Sequence, residues 1–189
     1  APSLELRLLA LFRVWTVIDK FYPYLPLIGD WAAVLPEFIP RFEAATTAEA
    51  YAAALLELGT RVPDGHTFIA GHPAFATLRD GAAYLGVELR WIERQAVVTH
   101  IDAPAATAAG LAVGDVVTAV DGEPIAPRLA RLLKYTSAST EATRYRNALG
   151  YVLNGPAGDA VLTISRAQGV TKELRIPRAA RWTPPPPPP

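Results

Sequence analysis

Residues 113–125 read VGDVVTAVDGEPI, and this stretch decides how the rest of the chain is interpreted. A Gly-Asp pair opens it, a valine-rich run follows at residues 116–120, and an Asp-Gly pair closes that run. Valine favours buried strands, whereas Gly and Asp favour turns. The stretch therefore predicts a short buried strand between two tight turns.

Similar signals continue on both sides of this stretch. Residues 96–101 predict another strand, and the runs at 160–166 and 170–176 predict a hairpin around an Ala-Gln-Gly turn. Between them, residues 127–137 and 141–153 favour helix, with a break near Ser139. The second half of the chain therefore predicts a small mixed domain.

The first segment has a helical period instead. Apolar side chains recur there at steps of three and four residues, which predicts an amphipathic helix with Ser3 as its N-cap. The prolines at 23 and 26 end this helix because proline lacks a backbone N–H donor. The apolar residues are Leu4, Leu8, Leu11, Trp15, Ile18 and Tyr22.

Two more helices are expected before residue 60. The first should start at Asp30, and Pro36 and Pro40 should kink or divide it. The second should be capped by Thr47 and end near Gly59. Residues 1–66 thus predict a helical bundle, and the fold class of the whole chain is α+β.

Composition excludes several classes of function. Eighteen basic and eighteen acidic residues balance, so no positive field favours nucleic acid. Charged residues interrupt the apolar N-terminal stretch, which argues against a membrane span. His66, His72 and His100 match no usual metal-ligand spacing, and the chain has no cysteine, so we expect neither a metal nor a cofactor.

Four motifs in a fixed order carry a family resemblance. They are YLGV at 84–87, APAATAAGL at 103–111, VGDVV at 113–117 and VDGEPI at 120–125. Together they resemble bacterial PDZ domains over residues 84–177. The resemblance implies a small, partly open β-barrel or sandwich with helices that binds peptide or protein C termini.

The resemblance also implies where a peptide would bind. The backbone N–H groups of the turn formed by the YLGV motif at 84–87 would hold the terminal carboxylate of the peptide. The strand that follows this turn would pair with the peptide as an added strand. The helix beginning near Pro127 would form the opposite wall, although its leucines are equally expected to fill the core. The implied peptide-binding residues are Leu85, Gly86, Val87, Glu88, Leu89, Leu129, Leu132 and Leu133.

A wider resemblance covers nearly the whole chain. A helical bundle, the segment LELGTRVPDGHT at 56–67, a connector at 67–83, the PDZ-like domain and a proline-rich linker at 178–189 occur in this order. This order is similar to the front part of the C-terminal processing and tricorn-like serine peptidases. The resemblance implies a catalytic core of the same polypeptide, expected beyond the linker, and a periplasmic or extracytoplasmic location.

His66 is the one candidate catalytic residue. By the family resemblance, it would be the general base once the core packs against the helical region, since histidine exchanges protons near neutral pH. Two alternatives stay open, a purely structural Asp-Gly-His turn and membership of a lysine-dependent branch. Without the nucleophile the chain should be inactive alone. A free-standing PDZ adaptor is the alternative function.

Overall fold

The computed structural model describes residues 1–79, 81–166 and 169–180. The chain divides into two compact units. The first comprises Ala1–Leu78 and Arg131–Asn147, and the second comprises Arg79–Ala130 and the residues from Ala148 onward. Residues 131–147 therefore belong to the first unit, although their sequence position lies inside the range 84–177.

The first unit is helical, as the periodicity of its sequence predicts. Helix α1 spans Leu4–Phe21, α2 spans Trp31–Ala44, α3 spans Ala48–Gly59 and α4 spans Ala74–Leu78. A short 3₁₀ helix, Leu25–Leu27, lies between α1 and α2. The expected bundle within residues 1–66 is thus present as α1, α2 and α3.

Local capping explains where α2 and α3 begin. The Asp30 side chain accepts a hydrogen bond from the Ala33 N–H at 3.2 Å, and the Thr47 hydroxyl accepts one from the Ala50 N–H at 3.1 Å. Such bonds satisfy N–H groups that have no partner inside the helix. Ser3 occupies the N-cap position of α1, but its side chain makes no capping bond.

Helix α2 is continuous through Pro36 and Pro40, so the expectation that these prolines divide it is wrong. Each proline removes one backbone hydrogen bond, whose net contribution is about 0.5–1.5 kcal/mol. Burial of large apolar side chains contributes about 1.5–3 kcal/mol each, which offsets that loss. The buried side chains of α2 are Trp31, Val34, Phe38 and Phe42.

Two apolar clusters hold the first unit together. The larger one lies between α1, α2 and α3, with Leu11, Phe38 and Phe42 fully buried in it. The smaller one joins α3 to α4, and Tyr135 from the second segment of this unit packs against it. Tyr135 therefore helps to attach residues 131–147 to the helical bundle.

The second unit is built on an antiparallel sheet. Among the described residues its strands are β1 (Ala83–Tyr84), β2 (Val87–Ile92), β3 (Gln95–Ile101), β4 (Val116–Val120), β5 (Glu123–Pro124), β6 (Gly158–Ser165) and β7 (Thr171–Ala180). Their order is β1-β7-β6-β4-β3-β2, and β5 pairs with β4. β4 has the bounds that the valine-rich run predicts. The α+β fold class is confirmed.

The predicted hairpin is formed by β6 and β7, which pair from Gly158 opposite Arg178 to Ser165 opposite Thr171. β7 continues to Ala180, so the first residues of the range 178–189 belong to a strand. The polyproline segment expected at Pro184–Pro189 lies outside the described residues, as do residues 167 and 168 of the predicted turn.

Three further helices complete the described chain. They are α5 (Pro104–Ala108), α6 (Ile125–Leu133) and α7 (Glu141–Val152). α6 starts earlier and ends earlier than the predicted range 127–137, and residues 134–140 separate it from α7. In the part of the chain that the structure describes, no helix is both long and apolar enough to cross a bilayer.

Candidate functional site

The loop after α3 presents His66 to solvent. The chain leaves the helix through hydrogen-bonded turns at residues 60–62 and reaches the Asp-Gly-His segment. One carboxylate oxygen of Asp64 accepts the backbone N–H of His66 at 2.8 Å and lies 3.0 Å from its Nδ1. The His66 side chain is fully exposed, so its Nε2 edge is open to an incoming group.

Both carboxylate oxygens of Asp64 have hydrogen-bond partners. Its second oxygen accepts a hydrogen bond from the Tyr22 hydroxyl at 3.1 Å. The backbone N–H of His66, followed by its ring, lowers the pKa of Asp64 below the usual value. Burial, and then the bond to Asp64, raises the pKa of Tyr22. At neutral pH Asp64 is therefore an ionised carboxylate that can only accept hydrogen bonds.

The segment between α6 and α7 fixes the His66 loop. The Ser137 hydroxyl donates to the carbonyl of Val62, and the Gly65 N–H donates to the Ser139 hydroxyl at 3.1 Å. The sequence offered no sign of this role beyond the predicted helix break near Ser139. Both serines lie in residues 131–147, the segment that joins the first unit.

A cavity of about 430 Å³ adjoins this loop within the first unit. Apolar and aromatic side chains from the α1–α2 connection form one side, and the Asp-Gly-His segment forms another. Tyr24 and Leu27 are largely exposed at its rim. The lining residues are Tyr22, Tyr24, Leu27, Ile28, Pro63, Asp64, His66 and Ser139.

The predicted carboxylate-binding turn lies in the second unit, where β2 begins. Gly86 has a φ of 64°, in the left-handed region that favours glycine. Its carbonyl accepts the N–H groups of Asp102 and Ala103 at 2.8 and 3.2 Å, which fixes the turn against the start of α5. Leu85 is buried, and Val87 is half-buried at the start of β2.

Strand β2 lies at one end of the strand order. It pairs with β3 on one side, and among the described residues no strand pairs with its other edge. Glu88 is exposed and Leu89 is buried, as expected for a strand with one face on the core. This unpaired edge has the geometry that strand addition by a peptide requires.

The leucines predicted for the opposite wall lie on α6. Leu129 and Leu132 are 2% and 1% exposed, and Leu133 is half-buried. Leu129 belongs to the second unit, whereas Leu132 and Leu133 belong to the first. Such burial suits core side chains, so their part in a peptide pocket stays a prediction.

An ion pair that the sequence did not reveal supports the entry to β4. Asp115 accepts hydrogen bonds from Arg166 Nε at 2.7 Å, from Arg166 Nη2 at 2.9 Å and from the Ala112 N–H at 2.9 Å. Arg166, and then the Ala112 N–H, hold the pKa of Asp115 below its usual value despite burial. The pair ties the start of β4 to the end of β6.

Comparisons with known proteins point to one class. Residues 92–172 match the family model described as Bacteroidetes, peptidase, S41 family, N-terminal domain. No match was found among curated proteins.

Solved structures of CPAF share the fold of this chain. Mature CPAF is 18% identical with a TM-score of 0.63, over 93% of this chain and 34% of that chain. Mature CPAF complexed with lactacystin is 18% identical with a TM-score of 0.61, over 93% of this chain and 35% of that chain. The photosystem II D1 C-terminal processing protease is 16% identical with a TM-score of 0.49, over 96% and 45%.

The chain therefore spans about a third of the length of the CPAF chains that it matches. At this level of identity the CPAF likeness shows the fold alone. The family-model match makes residues 92–172 similar to an S41 peptidase N-terminal domain.

Proposed function

We propose that this chain is the peptide-binding, substrate-recruiting region of an S41-type serine peptidase, with residues 84–177 forming a PDZ domain. The observation that carries the proposal is the position of β2, which directly follows the left-handed turn at Gly86 and, among the described residues, pairs with a strand on one edge only. A turn of backbone N–H groups next to an open strand edge is what a peptide with a free C terminus needs.

In this proposal the peptide adds to β2 as an antiparallel strand. Its main chain bonds to β2, and its terminal carboxylate accepts the backbone N–H groups of Leu85, Gly86 and Val87. The bonds from Asp102 and Ala103 to the Gly86 carbonyl keep the turn in place before the ligand arrives. A turn that is already ordered loses less entropy on binding.

Calorimetric titration of the chain with a hydrophobic-ended peptide tests this site. The same peptide with a C-terminal amide is the matched control. Because hydrogen bonds to a charged group contribute about 1.5–3 kcal/mol, the amide should bind roughly 10–100-fold more weakly. Equal affinity for the two peptides would contradict the carboxylate-binding turn.

The first unit contributes His66 to the proposed peptidase. A catalytic core of the same polypeptide would supply the serine nucleophile, and His66 would take the proton from its hydroxyl. The full exposure of the His66 ring and its contact with an ionised Asp64 support this role. The chain alone lacks the complete set of groups and is expected to be inactive.

Turnover by the polypeptide that includes the core tests the role of His66. His66→Ala should lower kcat at least about a hundredfold while peptide binding stays unchanged. His100→Ala is the matched control, since His100 also lies beside a carboxylate but in the second unit. Turnover near the wild-type rate in His66→Ala would assign His66 to structure and favour the lysine-dependent branch.

The proposal includes a periplasmic or other extracytoplasmic location, which is the location that the family resemblance implies. The competing function is a PDZ adaptor that binds C termini without an attached peptidase. Peptide binding by the chain together with no hydrolysis by the complete polypeptide would favour the adaptor.

A further inference from the structure

The contacts of the three histidines differ: His66 and His72 both use Nδ1, the first beside a carboxylate and the second as an acceptor, whereas His100 uses Nε2. His66 faces Asp64 through Nδ1 at 3.0 Å. His100 faces Asp102 through Nε2 at 2.8 Å. The Nδ1 of His72 accepts the Ala74 N–H at 3.2 Å, so this ring carries its hydrogen on Nε2 when neutral.

The partner of each ring decides where a neutral imidazole holds its hydrogen. An ionised carboxylate only accepts, so the nitrogen that faces it must donate. The hydrogen of neutral His66 therefore lies on Nδ1 and the lone pair on Nε2. His100 has the opposite arrangement, because its carboxylate contact is made by Nε2.

We propose that Asp64 is a positioning residue that holds His66 in the Nδ1–H tautomer and directs the Nε2 lone pair outward to act as the base. This inference rests on the proposed catalytic role of His66. A base in the other tautomer would present an N–H to the serine hydroxyl and could not take its proton.

The surroundings of Asp64 are suited to this role. The carboxylate cannot rotate freely, because the His66 N–H binds one oxygen and the Tyr22 hydroxyl binds the other. The loop itself is tied down by Ser137 and Ser139. A turn former would need only the backbone bond, so the ring contact and the Tyr22 bond are features that a turn alone does not explain.

The proton transfer balances without a further reactant. The O–H bond of the serine breaks, its proton joins His66 Nε2, and the serine oxygen bonds to the peptide carbonyl carbon as the π electrons of the C=O bond move onto the carbonyl oxygen. The Asp64 carboxylate stabilises the resulting imidazolium, which returns the proton to the leaving amine as the C–N bond breaks and the C=O bond re-forms. Water then hydrolyses the acyl-serine in the same way and restores the serine hydroxyl.

Nuclear magnetic resonance of the isotope-labelled 189-residue chain tests the tautomer directly. Long-range proton–nitrogen spectra at about pH 8.5, roughly two units above the ordinary pKa of histidine, distinguish the two neutral forms. We expect Nδ1–H for His66 and Nε2–H for His72 and His100. Single His→Gln variants assign the signals.

Two asparagine variants form a matched pair. In Asp64→Asn the oxygen that faces His66 Nδ1 carries no charge, so the Nδ1–H form loses a charge-assisted hydrogen bond and the population should shift toward Nε2–H. Asp102→Asn should alter only His100. An Nε2–H signal for His66 in the wild type, or an unchanged signal in Asp64→Asn, would overturn the proposal.

Activity of the polypeptide that includes the core gives the second readout. Asp64→Asn should lower kcat at least about tenfold with KM nearly unchanged, and Asp30→Asn, at a helix N-cap where asparagine serves equally well, should leave both unchanged. Wild-type kcat in Asp64→Asn would also overturn the positioning role. Retained turnover in His66→Ala would instead contradict the catalytic role of His66. The tautomer measurement would then still report whether Asp64 sets the tautomer of His66, independently of catalysis.

Discussion

Replacement of Asp115 by asparagine should destabilise the second unit by about 2 kcal/mol. Asp115 is 4% exposed and accepts two bonds from Arg166 and one from Ala112. Bonds to a charged group contribute about 1.5–3 kcal/mol each, and the variant loses the charge and one acceptor oxygen facing Arg166. Because 37% of the Arg166 side chain is exposed, solvent screening weakens these bonds, and the net loss of stability is about 2 kcal/mol.

Urea unfolding followed by circular dichroism measures this loss. Hydrogen exchange of peptides from β4 and β6 tests whether the loss falls on the second unit. Asp102→Asn is the control, because its carboxylate is 70% exposed and a change of less than about 0.5 kcal/mol is expected there. A loss at Asp115 no larger than that of the control would refute the reasoning.

Two other outcomes are expected. Gly86→Ala and Gly122→Ala both place a side chain at positive φ, of 64° and 80°, which costs about 1–2 kcal/mol. Of these two positions, only Gly86 places the new Cβ near a neighbour, the Ala103 Cβ at 3.1 Å. Peptide affinity should therefore fall at least about tenfold in Gly86→Ala and stay at the wild-type level in Gly122→Ala. Equal effects of the two variants on peptide affinity would contradict a role of the Gly86 turn in binding. The second outcome concerns the pH dependence of stability. The pKa of Asp115 is lower in the folded protein than its unfolded value of about 3.9. The contribution of Asp115 to folding stability is therefore complete above that unfolded pKa and is lost as the pH falls through the folded pKa. The difference in unfolding free energy between wild type and Asp115→Asn should shrink from pH 7 to about pH 3, and a constant difference would argue against it.

The sequence predicted the elements whose signals are local. The valine run between its turns gave the bounds of β4, and Asp30 and Thr47 marked the starts of two helices through bonds to N–H groups three residues away. Pro36 and Pro40 do not divide α2, because the burial that keeps the helix continuous depends on side chains from other helices, which no local pattern shows. The candidate residues Gly86 and His66 came from family resemblance and were found at a left-handed turn and an exposed loop.

The sequence by itself thus determined the elements that have a clear local period or cap, such as α1, α2, α3 and β4, because periodicity and capping act over a few residues. Only the tertiary structure decided which distant groups meet. Tyr22 and Asp64 are 42 positions apart, Gly65 and Ser139 are 74 apart, and Asp115 and Arg166 are 51 apart. Such pairs leave no local pattern, since the chain brings them together only when the apolar faces on either side are buried.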